Sequence, residues 1–107
     1  MADDVLLVIS TFSDAETARS VAEQVVKGNF AACANILPGV ESVFRWEGKL
    51  ENAREVMVFF KTTKSRYPEF EAKLRALHPY DVPEIVCFQT ADGLPEYLQW
   101  VGQNCSP

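Results

Sequence analysis

The 107-residue chain carries 10 Lys and Arg against 15 Asp and Glu, a formal net charge of −5, and 48% of its residues are hydrophobic. This length predicts one domain, residues 1–107, and the acidic balance argues against nucleic acid, which requires a concentrated basic surface. The longest apolar run, Val5 to Ile9, is far shorter than the roughly 20 residues that span a bilayer, so no membrane partner is expected.

The chain begins with a strand and a helix. Val5 to Thr11 is β-branched and apolar, which is typical of a buried strand. Ser13 and Glu16 have the spacing of a capping box, in which each side chain bonds the other residue's amide. Apolar residues then recur at helical spacing, and they predict a helix from about Asp14 to Lys27 that Gly28 ends.

A long hairpin follows this helix. Ala31 to Leu37 predicts a strand, Pro38-Gly39 interrupts it as a bulge or kink would, and Val40 to Trp46 resumes the extended pattern. Glu47-Gly48-Lys49 is a turn signal. Val56 to Thr62 predicts the return strand.

The second half of the chain predicts a helix over Tyr67 to Leu77, a strand over Glu84 to Thr90 and a short closing helix over Leu94 to Val101. Pro68 suits the first turn of its helix. The resulting order, β-α-β-β-α-β-α, indicates an α+β protein of the ferredoxin-like βαββαβ type with an extra C-terminal helix. Helices would cover one face of a four-stranded antiparallel sheet.

The hairpin is too long for the domain. Each arm could reach about 15 residues, or roughly 50 Å, whereas a domain of this size has a radius of gyration of about 13 Å. Its far end carries Val43, Phe44 and Trp46, and exposed aromatics there become an interface core when a neighbouring copy covers them. We therefore expect a closed homo-oligomer. The alternative is that Pro38-Gly39 bends the ribbon back onto its own sheet.

The only histidine lies in the cassette His78-Pro79-Tyr80-Asp81-Val82-Pro83-Glu84. Its two prolines restrict the backbone and hold the polar side chains in set directions. An imidazole and a carboxylate can bind copper, zinc or nickel, and the same pair can transfer protons. The structural alternative is that His78 caps the second helix.

Three cysteines, Cys33, Cys87 and Cys105, are too few for a disulfide framework, and no C-x-x-C pair is present to form a structural zinc site. This cysteine content is typical of a protein in a reducing compartment. The acidic start of the chain, residues 1–4, lacks the basic region of a signal peptide, so we expect a cytoplasmic protein. A basic cluster at Lys61, Lys64 and Arg66 is interpreted as a solvated corner, with a small-anion site as the alternative.

The chain resembles the CutA family of divalent-cation tolerance proteins. The stretches that carry the resemblance are Ala31-Ala32-Cys33-Ala34-Asn35-Ile36-Leu37-Pro38-Gly39, Trp46-Glu47-Gly48-Lys49, Lys61-Thr62, His78-Pro79-Tyr80-Asp81-Val82-Pro83-Glu84 and Tyr97-Leu98-Gln99-Trp100. The resemblance implies a homotrimer of ferredoxin-like subunits whose long strands wrap onto neighbours, with an architecture like that of PII signalling proteins. It also implies tolerance of copper and other divalent metals.

By position, the resemblance implies metal ligation by His78 and Cys33, and we add Glu84 to this set. The residues that match the family's inter-subunit cleft are Trp46, Lys61, Tyr80 and Glu84. Some copper-binding members have a cysteine and a second histidine where this chain has Ser10 and Leu77. Because thiolate and imidazole are good copper ligands, this difference should weaken a copper site.

Three functions follow as hypotheses. The first is a non-enzymatic homotrimer that binds a divalent metal, copper above others, without an organic cofactor. The second is a PII-like signalling or scaffold protein with a small ligand or partner protein in the inter-subunit cleft. The third, an enzyme using His78 and Glu84 for acid–base work, has little support because no phosphate loop or zinc-hydrolase motif is present.

Overall fold

A computed structural model describes residues 4–107, and residues 1–3 of the acidic start lie outside the described residues. The elements in this range are β1 (Val5–Phe12), α1 (Ala15–Lys27), β2 (Cys33–Trp46), β3 (Lys49–Thr63), α2 (Tyr67–Leu77), β4 (Val86–Gln89) and α3 (Pro95–Gln103). Their order confirms the predicted β-α-β-β-α-β-α sequence. No helix in residues 4–107 is long and apolar enough to cross a membrane.

The four strands form one antiparallel sheet in the order β2-β3-β1-β4. This is the predicted ferredoxin-like arrangement, with β1 and β3 in the centre and β2 and β4 at the edges. Helices α1 and α2 cover one face, where Val8, Phe12 and Phe60 are fully buried. Phe70 of α2 packs edge-to-face on Phe60, with ring centroids 5.2 Å apart. Apolar burial at this face is the main source of stability.

The predicted capping box at the start of α1 is wrong. Asp14, and not Ser13, is the N-cap, and its carboxylate accepts a hydrogen bond from the Thr17 amide at 2.7 Å. The Ser13 hydroxyl instead donates to Asp14 at 3.2 Å. A carboxylate is the stronger acceptor for an amide at a helix N-terminus, where the dipole also favours negative charge. The Thr17 amide accordingly lowers the pKa of Asp14.

The return strand of the hairpin is longer than predicted. β3 begins at Lys49 rather than Val56, because residues 50–55, which are mostly polar, pair with the far half of β2. A bulge lies between Leu37 and Val40, as predicted, with Gly39 at φ 78°. Pairing nevertheless continues beyond it to Trp46 opposite Lys49, and the subunit measures 47 × 26 × 22 Å. Val43 and other apolar side chains at the far end stay exposed.

The prediction that Lys61, Lys64 and Arg66 form a solvated corner is also wrong in part. Arg66 is only 8% exposed, because its guanidinium donates to the carbonyls of Gly28 and Asn29 at the end of α1. It also lies 4.4 Å from the centroid of the Phe30 ring. Arg66 thus satisfies carbonyls that have no partner within the helix. Lys61 is half-buried and donates to the Asn35 side chain, so only Lys64 is solvated.

The second face of the sheet is apolar and no layer of helices covers it. Side chains alternate along a strand, so the residues between the buried positions of β1 and β3 point to this side. We call it the open face, and its apolar residues are Leu7, Ile9, Leu37, Met57, Phe59, Val86 and Phe88. Phe88 is 51% exposed and Val86 44% exposed. Helix α3 packs beside this face on Val5 and Ala32.

Replacing Ser10 with Ala should leave the protein equally stable or stabilise it by up to about 1 kcal/mol. Ser10 is fully buried, and its hydroxyl has no hydrogen-bond partner among residues 4–107. Removing an unpaired buried polar group removes its desolvation cost. Thr62→Val is the control, because the buried Thr62 hydroxyl donates to the Phe30 carbonyl at 2.7 Å and its loss should destabilise. Urea unfolding measures both, and an equal loss in the two variants would contradict the prediction.

Candidate functional site

The cassette His78–Glu84 connects α2 to β4 and lies against the end of β1. His78 is the C-cap of α2, and its backbone amide donates to the Leu74 carbonyl at 2.9 Å. Pro79 follows at once and prevents the helix from continuing. The cassette is therefore held at its first residue by the end of the helix, as the structural alternative for His78 suggested.

Both ring nitrogens of His78 are bonded within the subunit. Nε2 donates to the Thr11 carbonyl at 2.9 Å, and Nδ1 accepts from the Tyr80 amide at 3.2 Å. This pattern requires the neutral tautomer with its proton on Nε2. The ring stacks on Phe12, with centroids 4.3 Å apart, and is 7% exposed. Burial lowers the pKa of His78, against smaller opposing effects of Thr11 and Glu55. No lone pair of the ring is free for a metal in this arrangement.

Tyr80 joins the cassette to the hairpin. Its hydroxyl donates to Oε2 of Glu55 on β3 at 2.7 Å, and its ring centroid lies 4.8 Å from that of His78. Burial and the Glu55 carboxylate raise the pKa of Tyr80, so the phenol stays protonated. His78 thus orients Tyr80 through its backbone amide, and Tyr80 orients Glu55.

A cleft of about 570 Å³ lies between the cassette and the far half of the hairpin. We call it the hairpin cleft. Its aromatic lining residues are Phe44, Trp46 and Tyr80, and its acidic ones are Glu51, Glu55, Asp81 and Glu84, with Thr11 and Val82 completing the wall. None of these described lining residues is basic. The cleft therefore combines negative charge with exposed aromatic faces, a combination suited to cations.

The predicted metal set is not brought together within one subunit. Cys33 lies opposite Lys61, which pairs with Leu7, whereas His78 binds at Thr11, four residues or roughly 13 Å further along β1. The Sγ atom of Cys33 is 3.7 Å from the hydroxyl of Tyr97. Residues 4–107 contain no group of three His, Cys, Asp or Glu side chains that could hold a metal ion. A site that uses all three predicted ligands stays a prediction.

The predicted cleft set is brought together in part. Trp46, Tyr80 and Glu84 line the hairpin cleft, but Lys61 lies in the sheet beside Asn35. Glu51 and Glu55 also line the cleft and were not among the predicted residues. The available signal was their spacing, because residues four apart on one strand point to the same face, but it depends on β3 beginning at Lys49.

Comparison with known proteins places the chain in a family. The family model described as CutA1 divalent ion tolerance protein matches residues 6–104. The divalent-cation tolerance protein CutA of Thermus thermophilus is 41% identical over 98 residues, which are 92% of this chain and 95% of that protein. Mouse protein CutA is 37% identical over 93 residues, 87% of this chain, and the match spans about half (52%) of the mouse protein.

Solved structures show the same fold. The crystal structure of CutA from Xylella fastidiosa superimposes with a TM-score of 0.93 at 38% identity and covers 96% of this chain and 99% of that one. The structure of CutA1 from Oryza sativa gives a TM-score of 0.94 at 31% identity, covering 98% and 96%. Sequence and fold agree over nearly the whole length, so this chain belongs to the CutA1 family of divalent ion tolerance proteins.

Proposed function

We propose that the protein is a non-enzymatic homotrimer that binds divalent cations in the hairpin cleft, with copper as the first cation to test. The observation that carries the proposal is the set of four carboxylates lining one cleft that has no basic lining residue. The names of its relatives support it, because they refer to tolerance of divalent cations and not to a reaction.

The open face supports association. Its exposed aromatic and aliphatic side chains form a contiguous surface on a sheet, and monomeric proteins seldom expose large patches of this kind. The apolar far end of the hairpin, with Leu50 at 70% exposure, adds a second surface. Packing of copies on both would bury the apolar area that one subunit leaves in water.

The small number of metal ligands within one subunit favours a cation site between subunits. Because one subunit offers no three ligands close together in its described residues, a bound cation needs a ligand from a neighbouring copy or from water. Glu84 and Asp81 lie on the cassette wall and are exposed, so they can take part without breaking a hydrogen bond. His78 supports the cleft from behind through Tyr80.

A calorimetric titration with Cu²⁺ tests the cation proposal. We expect saturable binding by the native protein and an affinity at least about tenfold lower in Glu84→Gln, because a neutral amide is a far weaker ligand than a carboxylate. Glu23→Gln, at an exposed position of helix α1, is the matched control and should bind as the native protein does. Equal affinity in all three proteins, or no saturable binding, would refute a cation site in the cleft.

A separate observation supports a second function. The full bonding of His78 leaves copper without the imidazole it prefers, whereas Phe44, Trp46 and Tyr80 suit an organic ligand. This favours the PII-like signalling or scaffold role, with a small ligand or partner protein in the cleft. A thermal-shift screen that finds no stabilising organic compound would count against this role.

A further inference from the structure

We propose that the hydrogen bond from Tyr80 to Glu55 is a brace, which holds the far half of the hairpin at a fixed angle to its own sheet before copies associate. The far half comprises residues 40–55. The brace is a contact within one subunit and requires no ligand in the hairpin cleft. Its effect on assembly rests on the proposed homotrimer, whereas the brace itself does not.

The far half of the hairpin leaves the four-stranded sheet at one point. β1 pairs with β3 as far as Phe12 opposite Val56, so beyond Val56 the return strand is paired with β2 alone. The bulge of β2 lies at the same level, because Val40 pairs with Glu55. A two-stranded hairpin is marginally stable by itself, and a bulge bends the strand that carries it. The subunit therefore has a joint where the far half begins.

Glu55 lies at this joint and is held from outside the hairpin. The Tyr80 hydroxyl donates to its Oε2 atom at 2.7 Å. Among the side-chain hydrogen bonds of residues 4–107, this is the one that joins the far half to another part of the subunit. Arg45, by contrast, donates to the Gly48 carbonyl within the far half itself. Because a carboxylate is a strong acceptor, the single bond at the joint restrains the angle of the far half.

The other end of the brace is anchored in the core. The Tyr80 amide donates to Nδ1 of His78 at 3.2 Å. The His78 ring is buried, stacks on Phe12 and donates to the Thr11 carbonyl. Burial and the carboxylate partner raise the pKa of Tyr80, so the phenol keeps the proton that it donates. The brace thus connects the joint to the end of a central strand, and Tyr80 acts as a positioning residue.

A fixed angle would speed association between copies. The far half carries exposed apolar side chains, among them Val43 and Leu50, that a neighbouring copy would cover. Without the brace each subunit would have to order its far half during association, and this ordering costs conformational entropy. The brace therefore acts on the rate of assembly and leaves the assembled form unchanged.

Hydrogen exchange of backbone amides measures the brace in single subunits. The carrier is full-length Phe88→Glu, whose added carboxylate on the open face should keep copies apart, since neighbours would also protect the far half. On this carrier Tyr80→Phe should speed exchange in residues 40–55 by about tenfold and leave β1 unchanged. Glu55→Ala should have the same effect. Glu55→Gln keeps an acceptor oxygen and should restore slow exchange.

Tyr67→Phe is the matched control for this measurement. Its hydroxyl also donates to a glutamate, Glu71 at 3.0 Å, but both residues lie on α2. Exchange in residues 40–55 should therefore stay as it is in the carrier. Equal exchange of the far half in Tyr80→Phe and Tyr67→Phe would overturn the inference. A rise in Tyr80→Phe that extends equally to β1 would overturn it too, because it would show general destabilisation.

Assembly is followed without the carrier change, after dilution of each protein from urea. Tyr80→Phe should reach the final sedimentation mass about fivefold more slowly than the native protein, and Tyr67→Phe at the native rate. Slow assembly of Tyr80→Phe with unchanged exchange of its far half would refute the brace. A native protein of subunit mass would refute the homotrimer and the assembly role, and exchange would still decide the brace.

Discussion

Phe88→Glu is expected to convert the proposed trimer into single subunits of 12.0 kDa. Phe88 lies on the edge strand β4 opposite Leu7, on the open face, and is 51% exposed in the isolated subunit. Because its ring is not in the core, the subunit should still fold. In a trimer that packs on the open face, however, the new carboxylate would be buried without a partner, at a cost of several kcal/mol per copy.

Sedimentation at micromolar concentration measures this change. The native protein should sediment near three times the 12.0 kDa subunit mass, and the variant near one subunit mass. Leu94→Glu is the matched control, because Leu94 is also exposed, at 66%, but precedes α3 and lies outside the open face. A native particle of subunit mass would remove the trimer proposal. Dissociation of both variants would show that the open face has no special role.

His78→Ala is expected to lower the free energy of unfolding by about 3 kcal/mol. The change deletes a ring stacked on Phe12 and leaves the Thr11 carbonyl, in a 6% exposed residue, without its donor. The Tyr80 amide also loses its acceptor. His78→Gln, whose amide can still donate toward Thr11, should lose less. Urea unfolding at equal protein concentrations measures both, and a loss below about 1 kcal/mol in His78→Ala would contradict a structural role.

His78 also makes the free energy of unfolding depend on pH. Burial lowers the pKa of folded His78 below its ordinary value of 6.5, so the unfolded chain takes up the proton first as pH falls. The stabilising contribution is therefore complete above pH 6.5 and is lost as pH falls through the unfolded value toward the folded one. Between pH 7.5 and 5 the native protein should lose more stability than His78→Gln does. Parallel curves for the two proteins would contradict this sign.

Much of the fold could be predicted because many helix and strand boundaries depend on residues close to them in the sequence. Helix α2 runs from Tyr67 to Leu77 as predicted, since Pro68 suits its first turn and Pro79 ends it. The start of β3 could not be predicted from its own residues. Apart from Leu50 and Ala53, residues 50–55 are polar, and they are extended because β2 lies beside them and not because of an intrinsic preference.

The site was less predictable because its contacts are distant in sequence. The partner of the His78 ring is the carbonyl of Thr11, 67 residues away, and no pattern in the cassette indicates that bond. Trp46 and Tyr80 line one cleft of the subunit and Lys61 lies beside Asn35, whereas the inter-subunit cleft that the resemblance implies stays a prediction. The absence of alternating polar residues could have revealed the open face, since Val5 to Ile9 and Val56 to Phe60 are apolar at every position, as strands covered on both sides are.

The bulge in β2 decides which way the aromatic side chains of the hairpin point. From Leu37 to Val40 the strand advances three residues while β3 advances only two, from Met57 to Glu55. This single extra residue reverses the parity of β2, so that even-numbered Phe44 and Trp46 share a face with Glu51 and Glu55. If β2 kept all of these residues but paired regularly, without a bulge, both rings would turn to the other side of the ribbon. The aromatic wall of the cleft therefore depends on the extra residue being accommodated as a bulge and not by a shift in the pairing of the far half.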